Sequence, residues 1–194
     1  AEQIAALSSP HATFEELFLV QKLMRGLGSD NVDFRTRRRD FSADGQRTGI
    51  PWLGLRLSEI TELDAALVVG GFLRKDHPLF AQRLRQLAKK YGGEVSLLSV
   101  AGDDPLIKLH ERITVAPSGL PVALAAIVKA TAELKKKAVP AGTESVEVCA
   151  RSRAVAESLV AGSKKAIFLG SIAEQSPHAT TIHRLALELG KLTG

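Results

Sequence analysis

The chain has 194 residues, of which 45% are hydrophobic and 24% are charged, and its formal net charge is +5. This composition is ordinary for a globular domain and supplies enough apolar residues for a full core. Aromatic residues make up only 5% of the chain. A stacking surface for single-stranded nucleic acid is therefore excluded, and we expect no nucleic-acid partner.

A single cysteine limits the metal chemistry that the sequence supports. Cys149 is the only cysteine, so intrachain disulfides, zinc–cysteine clusters and iron–sulfur sites cannot be built from it. His11, His110 and His183 have no metal-ligand spacing with it or with each other. We expect no metal site, and we expect Cys149 to be a buried or half-buried small hydrophobic residue.

The sequence contains neither a signal peptide nor an apolar run of the roughly 18 residues that a membrane span requires. It begins at Ala1 and ends at Gly194, just after a predicted helix. We therefore expect a cytoplasmic protein without direct membrane insertion, excised from a longer polypeptide.

Residues 3–34 predict a strand–helix–strand unit. Gln3 to Leu7 is a short apolar run that is typical of a strand, and Asn31 to Phe34 predicts a second one. Between them, Thr13 followed by two glutamates indicates a helix N-cap, with acidic residues at the positive end of the helix dipole. Gly28 is the expected stop. Apolar residues recur at helical spacing at Leu17, Val20, Leu23, Met24 and Leu27.

Residues 35–55 have no clean periodicity. They contain an arginine run, Arg35 to Arg39, and the single tryptophan, Trp52. A loop of this length inside a compact domain is often functional or part of an interface. A solvated charge run is the favoured interpretation. Since arginine and tryptophan are preferred at protein interfaces, a docking surface for a partner is the second interpretation.

The most strand-like segment is Ala65 to Gly71, an apolar run that ends in two glycines and is typical of a buried parallel strand. A short helix is predicted before it at Ser58 to Leu63. After it, Pro78 to Tyr91 predicts an amphipathic helix that ends at two further glycines. The expected apolar side of this helix consists of Leu79, Phe80, Leu84, Leu87 and Ala88.

The rest of the chain continues the alternation of strands and helices. Strands are predicted at Glu94 to Val100, Ile113 to Ala116 and Lys165 to Gly170, and Val146 to Cys149 is ambiguous. Helical segments are predicted at Pro105 to Leu109, Ser118 to Lys137, Arg151 to Ala161 and Pro177 to Leu189. Ser118 is the expected cap of its helix.

This alternation predicts an α/β fold, a three-layer Rossmann-like domain with a mainly parallel sheet covered by helices on both faces. We expect residues 1–194 to form one α/β region of a larger domain. A sub-boundary, if there is one, falls near residues 138–145, where a Pro- and Gly-containing linker follows a predicted helix.

The segment from Ala65 to Pro78 predicts a crevice at the carboxyl end of a strand, where α/β sheets bind ligands. Gly70 and Gly71 would let a phosphate approach the backbone. The alternative, a tight turn without a ligand, is favoured on the sequence alone. Neither G-x-G-x-x-G nor G-x-x-x-x-G-K-[ST] is present, so a nicotinamide dinucleotide or ATP site of the usual kind is not expected.

Two histidines stand at predicted helix starts that follow buried strands. His77 precedes Pro78, and His178 follows Pro177, so both are candidates to face one crevice. As a general base, His77 would need a well-placed partner, and the adjacent Asp76 is poorly placed to orient it. A structural histidine is the favoured interpretation, and no catalytic residue is predicted.

A family resemblance is carried by four stretches, residues 9–19, 27–35, 68–86 and 169–179. The third reads Val-Val-Gly-Gly-Phe-Leu-Arg-Lys-Asp-His-Pro in its first eleven positions. These stretches resemble a family of subunits of bacterial NADH:quinone oxidoreductase, the respiratory complex I. The subunits of this family have a molybdopterin-oxidoreductase-like region. The resemblance covers nearly the whole chain and is most specific in the first three stretches.

The large C-terminal region of that complex I subunit is similar to the molybdopterin oxidoreductases, such as formate dehydrogenase. In those enzymes a strand is followed by G-x-N-P-x-x-x-H-P, which contacts a guanine dinucleotide form of the cofactor. Here Gly70, His77 and Pro78 keep the frame, whereas Phe72 and Leu73 stand at the Asn and Pro positions. A phenylalanine offers no hydrogen bond, and an unpaired polar group in a buried site costs about 1–3 kcal/mol. The resemblance therefore implies vestigial cofactor-site residues, namely Gly70, Gly71, His77 and Pro78.

The resemblance implies a structural, cofactor-free domain of that complex I subunit. The parent complex transfers electrons from NADH through iron–sulfur clusters to quinone, and those clusters are expected in an N-terminal part of the parent that this sequence does not include. The implied partners are other subunits of complex I, in the peripheral arm of an inner-membrane complex. The alternative is a domain of a true molybdopterin enzyme, similar to formate dehydrogenase, that binds a guanine dinucleotide cofactor.

Overall fold

The structure is a computed structural model that describes residues 2–9, 12–34, 40–43, 45, 53–102 and 104–194. The interpretations given to His11, to the arginine run and to Trp52 concern residues outside this part. The chain divides into two compact units, Ala1–Arg38 and Arg39–Gly194, which are described separately. Within the described residues, no helix is both long enough and apolar enough to cross a membrane.

The first unit is a small strand–helix–strand motif, as the sequence predicts. Strands β1 (Ala6–Leu7) and β2 (Val32–Asp33) pair in parallel and flank helix α1 (Phe14–Gly26). The Thr13 hydroxyl accepts a hydrogen bond from the Glu16 N–H, and the Glu16 carboxylate accepts one from the Thr13 N–H. This capping box satisfies donors that the helix leaves unpaired. Thr13 is thus confirmed as the N-cap, although both strands are shorter than predicted.

The second unit is built on a parallel sheet of four strands. They are β3 (Ala65–Val69), β4 (Glu94–Ser99), β5 (Glu111–Thr114) and β6 (Lys165–Leu169). Their order across the sheet is β5-β4-β3-β6, and every pair is parallel. The chain therefore moves outward from β3 to β4 and β5, and then returns to add β6 on the other side of β3. The strand order reverses between β3 and β6.

Helices cover both faces of this sheet, which confirms the three-layer α/β prediction. One face packs against α4 (Leu120–Leu134), α5 (Ala150–Ala161) and α7 (Ala179–Thr193). The other face packs against α3 (Pro78–Gln86) and a 3₁₀ turn at Leu57–Glu62. Two short helices, α2 (Leu73–Asp76) and α6 (Ser171–Glu174), follow β3 and β6.

The helix predicted at Pro78 to Tyr91 differs in its end and in one core residue. Helix α3 ends at Gln86, and a π turn over Leu87–Tyr91 completes the segment. Leu79, predicted to be on the apolar side, is 78% exposed. It lies five positions before the fully buried Leu84, which places it about 140° away around the helix. The buried face therefore does not include it.

Four further local predictions are wrong. Residues 105–109 contain a bend at Leu106 and Ile107 and no helical turn, and β5 begins two residues before the predicted Ile113. Ser118 does not cap α4, because a 3₁₀ turn at Pro117–Gly119 precedes the helix and makes Gly119 its N-cap. Cys149 is exposed rather than buried, since it stands at the N-cap of α5.

Candidate functional site

The adjacent ends of β3 and β6 form the candidate site. The two strands are parallel and in register, with Val69 opposite Leu169, so their carboxyl ends lie side by side. Gly70 and Gly71 follow β3, and Gly170 follows β6. A reversal of strand order at the carboxyl edge is where open α/β sheets bind ligands. The predicted crevice is therefore located at the expected edge of the sheet.

Backbone hydrogen bonds join the two strand ends directly. The Gly170 N–H donates to the Val69 carbonyl at 2.8 Å, and the Gly70 N–H donates to the Leu98 carbonyl at 2.8 Å. The Gly70 carbonyl accepts from the Ile172 N–H at 2.9 Å. The turn after β3 and the start of α6 are thus held together by main-chain groups.

The glycines are required because these two turns lie in contact. A Cβ atom on Gly170 would lie 2.3 Å from the Gly71 Cα and 2.6 Å from the Gly70 carbonyl oxygen. A Cβ on Gly70 would lie 2.7 Å from the Ala173 nitrogen, and Gly70 has a left-handed φ of 61°, which favours glycine. Close packing of backbone against backbone thus accounts for these glycines without a ligand.

A side-chain hydrogen bond reinforces this contact. The Ser171 hydroxyl, at the start of α6, donates to the Asp76 carboxylate at the end of α2. The acid adjacent to His77 is therefore engaged by the turn after β6. This agrees with the interpretation that Asp76 does not orient His77 as a general base.

A cavity of about 630 Å³ lies beside the two strand ends. His77 lines it, but the second histidine is His183 of α7, and His178 is not among the lining residues. The prediction that His77 and His178 share a crevice is therefore wrong. His178 lies just before α7, whereas His183 lies five residues later on the helix face directed to the cavity. The other described lining residues are Leu53, Leu57, Val68, Gly71, Leu73, Phe80, Ile167, Phe168, Leu169, Gly170, Glu174, Ala186 and Leu187.

The two apolar residues at the family's Asn and Pro positions have different environments. Leu73 is 3% exposed and lines the cavity. Phe72 is partly buried and is not a lining residue; the Lys75 ammonium lies 5.5 Å from its ring centroid. Leu73, rather than Phe72, presents the apolar surface at this point. Pro78 is exposed at the first position of α3.

Helix α7, which forms one cavity wall, is fixed at its start by Asp40. The Asp40 carboxylate accepts hydrogen bonds from the Thr180 N–H at 2.9 Å and from the Ser42 hydroxyl and N–H. These donors, the Ser42 hydroxyl above all, hold the pKa of Asp40 well below its usual range. The carboxylate also lies at the positive end of the helix dipole.

A similar contact fixes the amino ends of β3 and β6. The Asp64 carboxylate accepts hydrogen bonds from the N–H groups of Lys164 and Ser163, both at 2.8 Å. These two donors, Lys164 first, lower the pKa of Asp64. Both ends of the β3–β6 pair are thus held by polar contacts, and the cavity lies between well-positioned elements.

The molybdopterin oxidoreductase family model matches residues 1–194, which is the whole chain. The chain belongs to the molybdopterin oxidoreductase family. A segment of 103 residues, 51% of this family member, is 27% identical to "Probable oxidoreductase YjgC" of Bacillus subtilis (strain 168) and covers 10% of that protein. The family assignment confirms the coarser part of the sequence resemblance.

A solved structure has the same fold as this molybdopterin oxidoreductase family member. It is a chain of the formyltransferase/hydrolase complex (FhcABCD) from Methylorubrum extorquens, determined in complex with methylofuran. The TM-score is 0.62 at 18% sequence identity, over 100% of this chain and 52% of the other. The chain thus spans about half the length of this structural neighbour and a tenth of its curated relative.

The side chains that line this cavity do not match the phosphates of a pterin dinucleotide. A pyrophosphate needs cationic side chains or free backbone N–H groups, and no Lys, Arg, Ser, Thr or Asn is among the described lining residues. Glu174 adds a negative charge instead. On the Cβ side of Gly71 there is no free space, because a Cβ built there would lie 3.0 Å from the Val68 side chain and 3.7 Å from the Gly170 Cα.

Several site residues were not anticipated from the sequence, namely Ser171, Glu174, His183, Ala186 and Leu187. The sequence does show a similar turn at the two strand ends, because β6 ends at Leu169 and is followed by Gly170-Ser171, much as β3 ends at Val69 and is followed by Gly70-Gly71. Only the order of the strands shows that the two turns are in contact.

Proposed function

We propose that this chain is a structural, cofactor-free domain of an NADH:quinone oxidoreductase, within the subunit that has the molybdopterin-oxidoreductase-like region. The observation that carries the proposal is the contact between the turns after β3 and β6. Gly71 and Gly170 approach so closely that a methyl group on Gly170 would lie 2.3 Å from the Gly71 Cα. This contact leaves no room for a phosphate group between the two turns.

The chemistry of the cavity supports the same conclusion. Leu73 is buried where cofactor-binding relatives, by resemblance, have proline, and Phe72 replaces their asparagine. Each polar cofactor group left without a partner would cost about 1–3 kcal/mol, and more for a charged group. A pyrophosphate brings several such groups into a cavity whose described charged lining residue is acidic.

The role of the parent protein follows from the resemblance of residues 9–19, 27–35 and 68–86. The parent complex would pass electrons from NADH through iron–sulfur clusters, held by other segments, to quinone. This domain would pack against the cluster-bearing part and against other subunits in the peripheral arm. A tagged copy of the full protein, isolated from its own cells, should copurify with NADH:ferricyanide reductase activity. Isolation without that activity would contradict the assignment to complex I.

Metal analysis and calorimetry of the purified chain test the cofactor-free state. We expect no stoichiometric molybdenum or tungsten, and no heat of binding when GDP is titrated, with ADP as the matched control nucleotide. Saturable binding of GDP but not of ADP would instead favour a formate dehydrogenase-like enzyme domain. The frame that Gly70, His77 and Pro78 preserve is the feature that supports this second candidate.

A further inference from the structure

We infer that the cavity beside β6 binds a small apolar molecule whose polar head donates hydrogen bonds or carries a positive charge. This inference goes beyond the proposed function, since a scaffold needs no ligand at this position. It rests on the position of the cavity, on its walls and on one acidic side chain.

The position of the cavity follows from three consecutive residues of β6 and the glycine after them. Ile167, Phe168, Leu169 and Gly170 all line it. Successive strand residues point to opposite faces of a sheet, and Phe168 belongs to one core whereas Ile167 and Leu169 pack against the other. A cavity lined from both faces runs along the edge of the strand, and among the described strands β6 pairs only with β3.

The walls and the size of the cavity suit a small apolar ligand. Its volume of about 630 Å³ lies within the range of roughly 300–1,000 Å³ that is usual for small-molecule sites. Apolar side chains from six elements form most of the wall, and Leu57 and Leu187 are still 51% and 54% exposed. A bound ligand would remove this apolar surface from water, which is the main driving force for such binding.

The charge of the ligand is set by Glu174. This residue is half-buried, and within the described chain its carboxylate has no hydrogen-bond or ion-pair partner. A carboxylate only accepts hydrogen bonds, and Glu174 is the one acidic residue among the described lining residues, which include no lysine or arginine but do include the imidazoles of His77 and His183. An amine or hydroxyl head would pair with Glu174, whereas an anionic head would be repelled by it.

Two fluorescent probes with the same apolar body test this preference. N-Phenyl-1-naphthylamine is neutral and has an N–H donor, and 8-anilinonaphthalene-1-sulfonate adds one negative charge. We expect saturable binding of the neutral probe and binding of the sulfonate that is weaker by about tenfold or more. Glu174→Gln should narrow this ratio, and Glu174→Lys should reverse it. Equal affinities of the two probes, or a ratio unchanged in both variants, would overturn the inference.

Cavity filling tests the location. Ala186→Trp places a large side chain in the cavity and should abolish binding of the neutral probe. Leu23→Ser is the matched control, because Leu23 is an exposed apolar residue of α1, 62% accessible, and should leave the binding unchanged. Binding that persists in folded Ala186→Trp, or that is lost in Leu23→Ser, would refute the assignment to this cavity. If Ala186→Trp does not fold, the Glu174 variants decide the question. Binding of GDP would refute the proposed function and not this inference.

Discussion

Substitution of Gly170 by alanine tests the contact on which the proposed function depends. The added methyl carbon would lie 2.3 Å from the Gly71 Cα, 2.6 Å from the Gly70 carbonyl oxygen and 2.7 Å from the Gly71 nitrogen. The backbone conformation of Gly170, φ −90° and ψ 176°, is one that alanine adopts freely. The whole cost is therefore steric, and it falls on main-chain atoms that cannot rotate away.

The magnitude follows from the displacement that is needed. Ordinary carbon–carbon contact lies near roughly 3.5 Å, so the two turns must separate by about 1 Å. Such a movement breaks the hydrogen bonds from the Gly170 N–H to Val69 and from the Ile172 N–H to Gly70, now 2.8 and 2.9 Å long. Two hydrogen bonds at about 1 kcal/mol each, with about 1–3 kcal/mol for overpacking, give a loss near 3–5 kcal/mol.

Urea unfolding followed by far-ultraviolet circular dichroism measures this loss as a change in the free energy of unfolding. Gly190→Ala is the matched control, because Gly190 lies within α7 with nothing within 4 Å of its Cβ position. That substitution should stabilise the protein by up to about 1 kcal/mol. If Gly170→Ala lowers the stability by less than about 1 kcal/mol, the turns are not in contact and the argument against a bound phosphate fails.

Four further predictions concern single side chains. Ser96→Ala should raise the free energy of unfolding by about 1 kcal/mol, because its hydroxyl is buried without a hydrogen-bond partner in the described structure. Ser99→Ala should lower the free energy of unfolding by a similar amount, because the equally buried Ser99 hydroxyl donates to a carbonyl at 2.9 Å. If both substitutions change the free energy of unfolding in the same direction, the hydrogen-bond assignment is contradicted. The Ser152 hydroxyl and N–H lower the pKa of the Cys149 thiol, so its alkylation by iodoacetamide should have a pH midpoint below that of N-acetylcysteine, and Ser152→Ala should raise that midpoint. The hydrogen bonds from Lys164 and Ser163 lower the pKa of Asp64, so the stabilisation by its carboxylate is present at neutral pH and is lost as the pH falls below the usual range of a carboxyl group. The difference in the free energy of unfolding between wild type and Asp64→Asn should therefore shrink over that interval. A difference that grows on acidification would refute this prediction.

Local patterns predict most of the elements of this fold. The apolar run at Ala65 to Gly71 predicts a buried strand, and the structure has one there. Thr13 and Glu16, which are three residues apart, form a capping box with their side chains. In both cases the physical cause lies within a few residues. The α/β class follows from the alternation of such segments.

The predictions that fail depend on contacts between distant parts of the chain. Whether Leu79 or Ala81 faces the sheet depends on how α3 is rotated about its axis. The cavity contains His183 rather than His178 because of where α7 lies beside β6. The contact between Gly71 and Gly170 requires β6 to be placed next to β3, and no local pattern specifies that neighbour. The sequence thus predicts a crevice shared by the segments after two strands, and it misses which residues of α7 line it.

The glycine contact also limits how this domain can change. Placing a phosphate group between these two turns would require the turn after β3 to move away from the turn after β6, and would break the Ser171–Asp76 hydrogen bond. These segments are far apart in the sequence, so no single substitution can reopen the space between them. A mutant on the way to such a change would lose stability before it gained any affinity, which makes the closed arrangement difficult to reverse.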